Sequence, residues 1–165
     1  AMVDSFRRLY PDIGTVPSFV QEKDEQKRLL SNVLIRMIGS DNEEITQAWS
    51  SETMIKVPQL KEYFSQIIGV HRRILTMLQN NLQGPVQSND VVEFEELGRN
   101  LKKEGVPLPD LLIALALSRK SIWIHVIRKK ILASPLEIYA TLELNNRIIF
   151  MYDRVIYSIA RGYSQ

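Results

Sequence analysis

Leu111-Leu112-Ile113-Ala114-Leu115-Ala116-Leu117 is the longest uninterrupted apolar run of the chain. It falls well short of the ~20 apolar residues that a membrane-spanning helix needs. Pro109-Asp110 ahead of it makes a good helix start, and no breaker follows until about Ala133. A helix that is apolar on every side offers no face to water. The segment near 109–133 is therefore expected to be the central element, covered all round by its neighbours.

The segments on either side are punctuated as helices too. Ser134-Pro135-Leu136-Glu137 combines a Ser N-cap, a first-turn Pro and a Glu at the third position. It opens a long C-terminal helix near 135–162 that carries Ile138, Leu142, Ile149, Tyr152, Ile156 and Ile159 to Gly162. That helix is still amphipathic where the sequence ends, so the domain is expected to be the input part of a longer chain. Upstream, Gly105 stops a short helix begun by Asp90 and Glu93, with Phe94, Leu97, Gly98 and Leu101 on one stripe. Gly98 is expected to mark close packing on the 109–133 segment. Pro58 suits the first position of a helix bearing Leu60, Phe64, Ile67, Ile74 and Leu78, which Gly84-Pro85 breaks. Ser40 with Glu43 predicts a capping box, and the helix before it carries Leu29, Leu30, Val33, Leu34 and Met37 up to Gly39. No segment alternates with the two-residue period of a strand. The expectation is an all-α, single-domain bundle of about six helices over 29–165, preceded by a partly irregular arm over 1–28 that contains Pro11, Gly14 and Pro17.

A chain of 165 residues is the size of one domain, and it has no cysteine, which excludes disulfides, thiol nucleophiles and thiolate metal sites and suits a cytoplasmic setting. No signal-peptide pattern opens it. The 21 basic and 19 acidic residues leave a net charge of +2, too small for a nucleic-acid-sized basic field. Arg72, Arg73, Arg128, Lys129 and Lys130 lack a helix-turn-helix or aromatic-interleaved pattern and read as solvated charge. Neither nucleic acid nor membrane is expected as a partner.

Two histidines are the starting points for chemistry. His71 falls on the stripe Phe64, Ile67, Ile74, Leu78, so its imidazole is expected to face the core or a pocket within it. Three roles fit: a neutral core histidine bonded to a carbonyl or a tyrosine, contact with an organic ligand, or an axial ligand to haem. His125 lies with Ser118, Ser121 and Arg128 on what reads as a polar stripe and is expected to be solvated or interfacial. No His, Asp or Glu stands three or four residues from either histidine, so no metal site is expected. His71-Arg72-Arg73-Ile74-Leu75 lacks the context of a phosphorylated histidine. A Gly-x-Ser-x-Gly elbow and a Gly-rich phosphate loop are missing as well, and the chain is expected not to be an enzyme.

Arg119 stands four residues after Leu115, three before Ile122 and seven before Val126, a permanent charge on an apolar face. Burying an unpaired ion costs at least several kcal/mol. Arg119 is therefore expected to meet a carboxylate (Glu95, Glu96, Glu143 or Asp153), to snorkel to the surface, or to clamp an anionic ligand. Asn145 shares the face of Leu142, Ile149 and Tyr152, as a core amide that fixes register or as a wall of a cavity with Trp123, Tyr139 and Tyr152. The candidate pocket comprises His71, Arg119, Trp123, Tyr139, Asn145 and Tyr152.

The stretch from Glu95-Glu96-Leu97-Gly98-Arg99 through Glu104-Gly105-Val106-Pro107-Leu108 to Leu111-Leu112-Ile113-Ala114-Leu115, followed by Ser118-Arg119-Lys120-Ser121-Ile122-Trp123, resembles a family signature. It is similar to the N-terminal sensory domains of bacterial stressosome co-antagonists of the RsbR/RsbRD type and of related input domains. In these a short Leu-Gly helix precedes Gly-x-Pro/Ser-Leu, a Leu-Leu-x-Ala helix and a basic residue shortly before Trp. The similarity extends over about 29–163, with its specific part at 95–123. It implies a non-enzymatic, homodimeric input domain joined to an output module in the same chain or acting on a regulatory partner, in some relatives with a globin-like fold without haem. A haem-binding gas sensor using His71 is the alternative.

Overall fold

Prolines, glycines and a capping serine cut the chain into helices. A computed structural model describes residues 29–80, 88–129 and 134–165. The arm 1–28, the Gly84-Pro85 break and the end of the apolar segment at 130–133 lie outside the described residues. The rest forms an all-α bundle: α1 over 29–40, α2 Asn42–Lys56, a 3-10 turn Pro58–Tyr63, α3 Phe64–Asn80, α4 Ser88–Lys103, α5 Leu108–Lys129 and α6 Pro135–Ser164. No helix is long and apolar enough to cross a membrane among the described residues.

Local chemistry explains the boundaries. Ser134 Oγ accepts from Glu137 N at 3.2 Å and the Glu137 carboxylate accepts from Ser134 N at 3.1 Å, so the expected Ser134 N-cap forms as a full capping box. Gly105, at φ +82, ends α4 in a Schellman motif, with Gly105 N bonded to Lys102 O and Val106 N to Leu101 O. The capping box expected at Ser40 does not form. Ser40 belongs to α1 and bonds back to Arg36 O at 3.2 Å, leaving Asp41 as the N-cap of α2. Pro58 opens a 3-10 turn and α-helix begins only at Phe64. α4 starts at Ser88, two residues before the expected Asp90, and α6 runs to Ser164 rather than Gly162.

The core joins α1 to α6 around Trp49, Tyr152, Phe94 and a set of Ile and Leu side chains. α5 is central, but it is not covered all round. Leu111, Ala114, Leu115, Leu117, Ser118, Ser121, Ile122, His125 and Val126 are buried, whereas Ile113 is 47% and Ile127 44% exposed, with Ala116 and Lys120 on the same open side. Three hydroxyl- or imidazole-bearing residues of the supposed polar stripe thus lie inside: Ser118 and Ser121 bond to buried groups, and His125 bonds through Nε2 to Asp41. Gly98 does permit a close approach, but to α6 and not to α5. A Cβ there would fall against the Ile159 carbonyl, and one on Gly162 would stand 2.8 Å from Arg99 N. These two glycines let the α4 and α6 backbones touch.

Candidate functional site

Four buried polar side chains, one from each of four helices, meet inside the bundle and end on the half-buried Asn42. His71 is 0% exposed on α3, with Nδ1 2.7 Å from Ser118 Oγ on α5 and Nε2 3.1 Å from Thr46 Oγ1 on α2. Ser118 Oγ is in turn 2.5 Å from Tyr152 Oη on α6, and Thr46 Oγ1 donates to Asn42 Oδ1 at 3.1 Å. Trp49 stacks on the His71 ring with centroids 4.1 Å apart and an interplanar angle of 4°. Its own Nε1–H donates to Ala114 O at 2.9 Å, which holds α2 against α5.

The direction of each bond follows from the donors available. Thr46 uses its proton on Asn42, so its oxygen accepts from His71 Nε2–H; Nδ1 then carries the lone pair and accepts from Ser118, whose oxygen accepts from Tyr152. One directed chain runs from Tyr152 through Ser118, His71 and Thr46 to Asn42, crossing the bundle from α6 to the first turn of α2. Burial, and secondarily the positive charge of Arg72, pulls the His71 imidazole down to about 4, so the ring is neutral at physiological pH. Burial pushes the Tyr152 phenol up, opposed by the Ser118 hydrogen bond and the charge of Arg119, so it stays a donor.

Of the expected pocket residues, the fold brings His71 and Tyr152 together through Ser118. Arg119 sits on the flank of the buried face of α5, half-buried, with its charge felt at Tyr152. No carboxylate lies within ion-pair distance of it among the described residues; Glu95 pairs instead with Arg161 at 3.0 Å. Trp123 and Asn145 are half-buried and stand outside the chain of bonds. Tyr139 is 56% exposed, thirteen residues from Tyr152 and so ~20 Å along α6 at 1.5 Å per residue. The six do not form one pocket. As an axial haem ligand His71 does not fit: both its nitrogens are bonded to hydroxyls and a ring face is covered by Trp49.

Thr46, Asn42 and Trp49 complete the site without having been singled out as candidates, and Ser118, read as part of a polar stripe, lies at its centre. His125, expected to be solvated or interfacial, is only 8% exposed and bonds Asp41 Oδ2 through Nε2 at 2.7 Å. That bond, with Lys129 nearby, holds the Asp41 carboxyl below the ordinary carboxylate range. The basic side chains Arg72, Arg73 and Lys129 each face a carboxylate of the same chain: Glu43, Glu93 and Glu44. Compared with family models, curated proteins and solved structures, the chain matches none.

Proposed function

We propose that the chain is the input domain of a bacterial signalling protein, a non-enzymatic cytoplasmic module that pairs with a second copy of itself. It responds to a small molecule or a protein partner and passes a change of helix packing through α6 to an output module, in the same chain or in a regulatory partner. The observation that carries this reading is the buried chain of hydrogen bonds from α2 to Tyr152 on α6. The stretch of that chain from Tyr152 through Ser118 and His71 to Thr46 is buried and hydrogen-bonded throughout, so a shift at one helix has to be matched at the others or break a bond that is expensive to leave unmade. A ligand drives such a change only if it prefers one packing by a few kcal/mol. α6 also carries Tyr139, Phe150 and Tyr157, eleven and seven residues apart and thus on one helix face, at 56%, 64% and 62% exposure. That face supports pairing between two copies of α6.

These 165 residues contain no cysteine, so a single introduced thiol reports pairing directly. Phe150→Cys and Tyr157→Cys are expected to give disulfide-linked dimers on mild oxidation, while Ile113→Cys on α5 stays monomeric. Adding Tyr152→Phe should change the ratio of the two α6 yields severalfold. Monomers throughout, or a ratio indifferent to Tyr152, would contradict the reading.

A further inference from the structure

The corner between α1 and α2 meets the C-terminal part of α5 in a set of side chains that the hydrogen-bonded chain from Tyr152 to Asn42 does not use. Asp41 and Glu44 come from the start of α2 and His125 from α5, and one ligand atom of each lies within 4.8 Å of the others. Asp41 Oδ2 accepts from His125 Nε2–H at 2.7 Å, which in the neutral ring leaves the lone pair on Nδ1. Nδ1 faces Glu44 Oε1 at 3.9 Å and has no hydrogen-bond partner among the described residues, although the residue is only 8% exposed. Lys129 Nζ, 3.2 Å from Glu44 Oε2, occupies the other oxygen of that carboxylate.

Two electron-rich atoms facing one another across 3.9 Å call for something positive between them. At a tetrahedral angle, metal bonds of ~2.0–2.2 Å place imidazole nitrogen and carboxylate oxygen ~3.4 Å apart, a distance that a small turn of the exposed Glu44 side chain reaches. A histidine that donates its other N–H to a carboxylate is how metal-binding imidazoles are oriented and made more basic. We infer that His125 and Glu44, with Asp41 as the orienting carboxylate, form a binding site for a divalent first-row transition metal, with water completing the coordination. Imidazole with carboxylate suits Zn²⁺ and its neighbours, whereas Mg²⁺ and Ca²⁺ prefer oxygen donors alone. His71 offers no competing site, since both its nitrogens are bonded.

The test is a calorimetric titration of Zn²⁺ into the metal-free, untagged chain at neutral pH, with circular dichroism to check the fold of each variant. The wild type should bind one equivalent saturably, and the same titration with Mg²⁺ should give no comparable heat. His125→Gln and the surface variant Glu44→Gln should each lose about tenfold or more in affinity, Asp41→Asn at least about tenfold, and Lys129→Gln should bind more tightly. Absence of saturable Zn²⁺ binding would overturn the site. Unchanged affinity in folded Glu44→Gln or His125→Gln would overturn it equally.

Discussion

At the residue scale, His71 sets the terms. An imidazole held at about 4 in the folded chain, against ~6.5 unfolded, makes stability depend on pH in a stated direction. Above pH ~6.5 both states are neutral and the group contributes no slope. Below it the unfolded chain takes up a proton that the buried ring refuses, so stability falls until the folded ring protonates near pH 4. The loss over that window is roughly 2–3 kcal/mol for this one group. Denaturation at pH 7.5 and 4.5 should show it in the wild type and show a correspondingly flatter profile in His71→Gln; identical profiles would mean that His71 titrates freely when folded. The inward placement of His71 was legible from its neighbours at three- and four-residue spacing. Tyr152 was legible as a pocket neighbour, but the direct partners Thr46 and Ser118 were not, because they come from two other helices and small hydroxyls carry no periodic signal of burial. Arg119 was misplaced for a related reason: a segment apolar on all sides has no amphipathic direction, so spacing from Leu115 and Ile122 could not tell the centre of the buried face from its flank.

At the element scale, breakers and caps read out well. Ser134 and Gly105 act as their chemistry requires, since each satisfies backbone groups locally. Asp41 shows where local rules yield: as N-cap of α2 it makes no side-chain cap bond, and its carboxylate turns to His125 on another helix. Gly98 was recognisable as a close-contact glycine, but local sequence does not say which helix approaches. The answer is α6, through Gly162. Gly98→Ala and Gly162→Ala should each destabilise by at least about 1–3 kcal/mol, because the added methyl meets backbone atoms that cannot rotate away. Gly69, where a Cβ would meet nothing within 4 Å, supplies the control. Gly69→Ala should be neutral or slightly stabilising through helix propensity. Thermal melting of the three variants separates the cases, and equal midpoints would contradict the contact between α4 and α6.

At the scale of the molecule, α6 is held at several places along its 30 residues. Arg147 Nη1 donates to Ser31 Oγ at 3.0 Å and Asn32 Oδ1 at 3.1 Å on α1, Tyr152 joins the buried chain, and Gly162 abuts α4. Surface ion pairs such as Arg73 with Glu93, at 2.5 and 2.6 Å, tie α3 to α4 with modest energy. The polar chain differs from these because its members from Tyr152 to Thr46 are buried, so losing one leaves the next unsatisfied. Hydrogen exchange across the whole chain in Tyr152→Phe measures this coupling most directly. The account predicts faster exchange in α2, around Asn42–Lys56, as well as in α6, although the substitution touches only α6 and its neighbour Ser118. A change confined to α6 and the adjoining turns of α5 would contradict it.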